Sequence, residues 1–283
     1  MKIGLVMVNY NDYENVQKML SIVGNYKIID KIVVVDNAST DDSLSQLKRL
    51  TNEKIIILEN DHNGGYGAGL NIGAKYLNEQ YSKCIILMSN TDIVMDCEDD
   101  IQTLVNTFDE NISVVAPIIK EHTGYNCGWK VPTPWQDILL SLPGIYKKYQ
   151  KRMIYPIEKI KNNITEVEAV SGSFFLIRGK DLEAVNYFDE NIFLYYEENI
   201  LSKKLQQINK KIVINGNAEV FHNHSITIDK VHTSVQKYKN LKKSQYYFQT
   251  EYNHAGIVNK ITMKLLFQIV EWGLYIHKHK NLK

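Results

Sequence analysis

Short apolar runs separated by segments of helical period organise the first part of the chain. Ile3–Val8, Lys31–Val35, Lys54–Leu58 and Cys84–Met88 are near-continuous apolar stretches, the pattern of strands buried on both faces. Between the first two, Val16, Leu20 and Val23 recur at helical spacing within a helix predicted near Tyr13–Ile22. Thr40-Asp41-Asp42 offers N-cap side chains for a second helix, and a glycine-rich turn opens a third that runs through Ala74 and Leu77. Strands alternating with helices at this spacing predict a parallel sheet. A helix near Asp99–Phe108 and a strand near Ser113–Pro117 extend it. Residues 119–166 lose the periodicity and hold four of the five prolines, so an irregular excursion is expected there. Order returns over Glu166–Arg178, then in a helix over Glu197–Ile208 and two strands near Ile212–Ile214 and Glu219–Phe221. From about Lys230 the pattern is helical, with Val231, Val235, Tyr238, Leu241, Phe248 and Tyr252 mostly on one face.

Composition narrows the class. The chain has 283 residues, 44% of them apolar, which is enough for a full core and argues against disorder. Net charge is +1, which gives no reason to expect a nucleic-acid partner. That balance hides an asymmetry: residues 229–283 hold ten lysines and three acids, +7, so the remainder carries −6. A basic segment on an acidic body suits a membrane surface or an anionic acceptor. Cys84, Cys97 and Cys127 are odd in number and lack C-x-x-C spacing, which argues against a disulfide framework or zinc site. No apolar stretch reaches the roughly 18–20 residues needed to span a bilayer. With no leader-like segment before the first strand, the expected location is cytoplasmic.

The chemistry sits just past the apolar runs. Asp36 ends the second strand, where a carboxylate can accept hydrogen bonds from a base or ribose; Asn9, at the end of the first, would sit beside it. A polar turn explains Asp36-Asn37-Ala38-Ser39 equally well. The run Asn63-Gly64-Gly65-Tyr66-Gly67-Ala68-Gly69 fails the strict G-x-G-x-x-G pattern and follows the third strand rather than the first. It offers either close ligand approach at a helix start or helix–sheet packing. Asn90-Thr91-Asp92 follows the fourth strand, and Asp92 there can serve a hard divalent cation or merely cap a turn. Glu197 and Glu198 open a helix, where acids favour the dipole but can also act as a general base. His222 and His224 share a strand face, so one metal ligand among them is plausible beside a purely structural role.

Taken in order, these motifs resemble family 2 glycosyltransferases of the GT-A type, in particular the bacterial rhamnosyltransferase-like group. The resemblance is carried by Val8-Asn9-Tyr10-Asn11, Asp36 to Asp41, Asn63 to Gly73, Asn90 to Asp92, Ser171-Gly172, Phe188-Asp189-Glu190, Glu197-Glu198 and His222 to Ser225. It covers roughly residues 1–225. It implies a GT-A nucleotide-diphospho-sugar transferase fold, α/β with a mainly parallel central sheet flanked by helices. The catalytic domain would span 1–225 and a helical C-terminal extension 226–283.

Position by position, the resemblance implies donor-nucleotide contacts at Asn9, Tyr10, Asp36, Asn63, Gly65 and Asn90. It implies Mg²⁺ or Mn²⁺ held by Asp92 with His222, acceptor contacts at Ser171, Gly172 and Trp129, and Glu198 as base with Glu197 beside it. The implied reaction is inverting transfer from a dTDP- or UDP-sugar to a glycan or lipid-linked acceptor in bacterial cell-surface polysaccharide synthesis. Two departures stand out. Asn90 replaces the first Asp of the commoner D-x-D, and Ile200 stands where many relatives carry another Asp. Two other readings remain. A sugar nucleotidyltransferase would need a glycine-rich loop after the first strand, and Val8-Asn9-Tyr10-Asn11-Asp12 has none. An inactive nucleotide-sugar-binding scaffold would more naturally have lost Asp92 or Glu198. The helix predicted over Lys264–His277 is too short to span a membrane. It suits lying on the inner membrane face, packing on the catalytic body, or forming a homodimer interface.

Overall fold

All four early apolar runs form strands in the computed structural model, which describes residues 1–95, 97–142, 144–223 and 234–280. These are β1 (Lys2–Asn9), β2 (Lys31–Asp36), β3 (Ile55–Glu59) and β4 (Cys84–Ser89), linked by α1 (Tyr13–Val23), α2 (Ser43–Lys48) and α3 (Tyr66–Gln80). Then come β5 (Ile93–Val94), α4 (Glu98–Val105), β6 (Ile112–Glu121) and β7 (Gly124–Asn126). The strands join one sheet in the order β3-β2-β1-β4-β9-β6-β10-β5, where β9 is Phe174–Arg178 and β10 is Lys211–His222. β3, β2, β1 and β4 run parallel, as do β6 and β10; β9 lies antiparallel between β4 and β6. Alternation along the strands builds a core on each face. Leu5, Met7, Val34 and Leu87 face one cluster with α1 and α4; Val6, Val33, Ile86 and Met88 face the other with α3 and α9 (Glu197–Gln207).

Residues 119–166 are more ordered than expected. They hold α5 (Pro134–Leu140), α6 (Tyr146–Met153), α7 (Ile157–Ile160) and β8 (Ile164–Val167). These elements are too short to show a period, so end chemistry defines them. In α5 the Thr133 hydroxyl accepts from the Gln136 N–H, the Gln136 side chain returns to Thr133, and Pro134 sits in the first turn. The two late strands are also one: β10 continues through Asn215-Gly216-Asn217 with a register shift against β6 between Ile214 and Glu219. Gly216 is required there, since a Cβ would run into the Ile160 carbonyl. After β9 comes α8 (Gly179–Ala184), and the chain ends in α10 (Ser234–Glu251) and α11 (Ile257–Lys280). The boundary expected at 225, with His224, Ser225 and Val231, lies outside the described residues. α10 buries Phe248 against Ile192 and Ile200, and α11 buries Met263 beside Ile138 of α5. Both helices therefore pack on the sheet domain.

Candidate active site

The carboxyl ends of β1, β2 and β4 open onto one cavity of about 830 Å³. Its lining includes Tyr10, Asp12, Asn37, Asn63, Gly65, Asn90 and Asp92, together with Trp129, Ser171, Gly172, Glu197 and Glu198. Register sets the wall at these strand ends. Asn9 pairs with Asp36 across β1 and β2, and the Asn9 side-chain amide donates to the Asp36 carboxylate at 2.7 Å. Ser39 donates its hydroxyl to the same carboxylate at 2.6 Å and its N–H at 3.0 Å. Asn9 and Asp36 are fully buried and lie behind the wall. The side chains that reach the cavity beside them are Tyr10, Asp12 and Asn37. Asn37 donates to Asn63 Oδ1 and to the Gly65 carbonyl, both at 3.0 Å, which ties the second strand end to the glycine turn.

The glycines of that turn serve mainly the protein's own packing. Gly65 has φ +97°, and a Cβ there would strike the Phe193 carbonyl, which accepts the Tyr66 N–H at 3.1 Å. Gly69 and Gly73 lie against Val8 and Val6, so they let α3 press onto β1.

Asp92 and His222 meet because of a second strand pairing. β5 runs antiparallel to the end of β10, with Ile93 opposite His222, and the Asn223 N–H donates to the Asp92 carbonyl. This brings His222 Nε2 within 3.1 Å of Asp92 Oδ1, both side chains being about nine-tenths buried. Glu121 lies on the other side of the imidazole, its Oε1 3.9 Å from Nδ1. Here the two share a hydrogen bond, and two neighbouring ligands of a cation bonded at ~2.0–2.2 Å also stand roughly 3 Å apart; the Asp92 carboxylate is the hard oxygen donor that suits Mg²⁺ or Mn²⁺, and the imidazole is placed to join it. The cavity's acids also outnumber its bases, with Asp12, Asp92, Glu121, Asp137, Glu197 and Glu198 against Lys130, Lys242 and His222. A diphosphate entering it would need a counter-cation. Among the described residues no group of three or more His, Cys, Asp or Glu forms a ready-made metal cage. Further ligands would come from the diphosphate and water.

Tyr195 and Tyr196 both adopt left-handed backbone, φ 71° and 74°, immediately before Glu197 and Glu198. Such residues cost about 1–2 kcal/mol each. The strain is held by side chains: the Tyr196 hydroxyl donates to Asp137 at 2.7 Å, Gln249 donates to the other carboxylate oxygen, and the ring packs on Phe248. Asp137 is almost wholly buried, and that burial pushes its carboxyl up to about 6. Glu198 accepts the Gly172 N–H at 2.9 Å, and a Cβ at Gly172 would lie 2.6 Å from that same oxygen. Glu197 is 6% exposed, and its Oε1 has no hydrogen-bond partner among the described residues. Burial raises both carboxyls above their ordinary value, and for Glu197 the neighbouring charge of Glu198 adds to it. The Tyr66 hydroxyl feels Glu198, Glu197 and Asp92; burial and these charges keep it protonated, and it donates to the Gly172 carbonyl at 3.2 Å. Trp129 donates its indole N–H to Asn199 at 2.8 Å. Asp12, Glu121, Asp137, Lys242 and Gln245 are among the cavity residues the sequence motifs did not single out. Asp12 directly follows the Val8-Asn9-Tyr10-Asn11 motif; Asp137 lies in the excursion, which has no pattern to mark it.

A family model described as glycosyl transferase family 2 matches residues 5–185. The low-salt glycan biosynthesis hexosyltransferase Agl10 of Haloferax volcanii is 24% identical over 240 residues, covering 83% of this chain and 72% of its own. The rhamnosyltransferase WbbL of Escherichia coli K12 is 29% identical over 206 residues, 69% of this chain and 73% of its own. Among solved structures, the mannosyltransferase PcManGT of Pyrobaculum calidifontis, in complex with GDP-Man and Mn²⁺, superposes with a TM-score of 0.60 at 12% identity. That match covers 96% of this chain and 69% of the other. The architecture is the GT-A fold.

Proposed function

The chain belongs to glycosyl transferase family 2, and from that premise we propose an inverting transfer of a sugar from a nucleotide-diphosphate donor, a dTDP- or UDP-sugar, to a hydroxyl of a glycan or lipid-linked acceptor. The observation that carries this reading is the shared cavity, which the Asp92–His222 pair and Glu198 both line. Tyr10, Asn37, Asn63, Gly65 and Asn90 offer the hydrogen-bonding wall for the nucleotide, with Asn9 and Asp36 holding that wall from behind. Asp92 and His222 would hold Mg²⁺ or Mn²⁺, which when bound neutralises the diphosphate and eases its departure. Glu198 takes the acceptor proton as the acceptor oxygen bonds to the anomeric carbon and the bond to the diphosphate breaks. Attack opposite the leaving group inverts the centre, and no covalent enzyme intermediate is needed. A raised carboxyl suits this role, because it brings the base closer to neutral pH. Ser171, Gly172 and Trp129 line the same cavity, which supports their assignment as acceptor contacts.

The two curated relatives are named as a low-salt glycan biosynthesis hexosyltransferase and a rhamnosyltransferase, which supports a hexose or deoxyhexose donor, rhamnose included; bacterial cell-surface polysaccharide synthesis is the role we propose for the transfer. A division near residue 225 is supported by the sheet ending at His222 and helix resuming at Ser234. The test is a screen of dTDP- and UDP-sugars with Mn²⁺, reading donor turnover and the anomeric configuration of the product. Turnover with inverted configuration is expected. Retained configuration would overturn the mechanism, and no turnover of any donor would overturn the reading as a whole.

A further inference from the structure

α11 carries apolar side chains on two sides, and only one of them is packed. Met263 is fully buried, with Leu266 and Phe267 packed beside it against Ile138 and Ala255. On another side Ile257, Val258, Ile261, Leu265, Ile269 and Trp272 are 53–72% exposed. At 100° per residue these six fall within an arc of roughly 120°, a stripe over four turns interrupted only by the exposed Gln268 among the described residues. Scattered exposed apolar residues need no explanation, but a stripe of this size marks an interaction surface.

Charge and chemistry decide what covers it. The helix belongs to the segment 229–283 that carries +7, against −6 for the rest of the chain. Lys260 and Lys264 fall beside the stripe on the wheel, while Glu271 is paired with Lys239 at 2.9 Å. Two copies of so basic a segment would repel each other across a symmetric contact, whereas an anionic surface would attract it. Trp272, 70% exposed, is the residue type favoured at the boundary between headgroups and acyl chains. No helix among the described residues is long and apolar enough to cross a membrane. We propose that α11 docks this protein on an anionic bilayer surface, lying in the plane of the interface with the Ile257–Trp272 stripe turned into the lipid. α11 rests on α5, whose Leu140 lines the cavity, so docking would bring that cavity close to the membrane. The docking goes beyond the transfer reaction and is tested without reference to it.

The test uses the full chain and sedimentation with vesicles of phosphatidylcholine containing phosphatidylglycerol, against vesicles of phosphatidylcholine alone. A variant with Ile261→Ser, Leu265→Ser, Ile269→Ser and Trp272→Ser removes only exposed side chains; its melting temperature checks that it folds. The full chain is expected to bind anionic vesicles, more weakly at high salt, with at least tenfold less binding to neutral ones. The variant is expected to lose at least tenfold in partitioning while its melting temperature stays within a few degrees. Absence of binding at low salt, equal binding to neutral vesicles, or binding undiminished in the variant would each overturn the proposal. So would a dimer of the full chain, measured by light scattering, that the same four substitutions disperse.

Discussion

Glu197 and Glu198 are neighbours in the chain but meet different surroundings. Glu198 is held by the Gly172 N–H, and a Cβ at Gly172 would push its carboxylate aside, whereas Glu197 is more deeply buried and its Oε1 has no hydrogen-bond partner among the described residues. A positioned base contributes about 10²–10⁴-fold, so Glu198→Gln should lower turnover by that much while leaving donor affinity unchanged. Isothermal titration with nucleotide beside initial rates checks both halves; a larger loss in Glu197→Gln would reverse the assignment. Asp92 invites a binding experiment instead. Asp92→Ala leaves His222 as the sole member of the pair, so nucleotide affinity in this variant should no longer respond to Mn²⁺. A response of native size would remove Asp92 from the metal site. Asp137 acts through pH. Its folded carboxyl is pushed up to about 6 from an ordinary 3.8, so the folded chain binds this proton more tightly than the unfolded one. That contribution to stability is complete below about 4 and is lost as pH rises through about 6. Asp137→Asn should flatten the decline of melting temperature between pH 4 and 7, and an unchanged slope would show that another group governs it.

The element that joins these residues is the short segment from Tyr195 to Glu198, and α10 is what holds it. Tyr196 is strained in its backbone and gripped by the Phe248 ring and by Asp137, which Gln249 holds in turn. Phe248→Ala empties a fully buried site, a change that typically costs 3–5 kcal/mol, and here it also frees the turn that aims the two acids. We expect a clear fall in melting temperature together with reduced turnover; a stability loss with native turnover would mean that the turn holds without Phe248. This arrangement was hard to foresee from the chain. Asp137 and Tyr196 are 59 residues apart, and no local period links them. The parallel strands were legible because their apolar runs are continuous, and their terminal polar residues marked the crevice. In detail, Asn9 and Asp36 end their strands as expected and are fully buried; the Asn9 amide donates to Asp36 while its Oδ1 has no hydrogen-bond partner among the described residues, and the expected contact Tyr10 lines the cavity beside Asp12 and Asn37. The glycine turn reads like a ligand cradle because glycine spacing looks alike whether the backbone that approaches belongs to a ligand or, as at Gly65, to Phe193. The Asn215-Gly216-Asn217 interruption split β10 in the sequence pattern because a bulge and a turn use the same residues.

At the scale of the whole molecule, the sheet supplies one side of the cavity, and the excursion and α10 supply much of the other. Leu241, Lys242 and Gln245 line it from α10, while no described lining residue comes from α11. The two C-terminal helices should therefore fail differently when removed. A chain ending before Ile257 loses Met263 from beneath α5, a buried contact of the kind whose loss typically costs about 2–5 kcal/mol, together with the exposed stripe. It should melt lower but keep its donor affinity and most of its turnover. A chain ending at 233 also loses the α10 wall and the grip on Tyr196. Its donor side, built from the ends of β1, β2 and β4, keeps all its own hydrogen bonds. Turnover should then fall at least a hundredfold, with donor affinity affected far less in whatever fraction remains folded. Melting curves, nucleotide titration and rates on the two truncated chains measure each part. Native turnover in the shorter chain would mean that α10 is an appendage to a self-sufficient sheet domain; lost donor affinity in the longer one would mean that α11 supports the strand ends themselves.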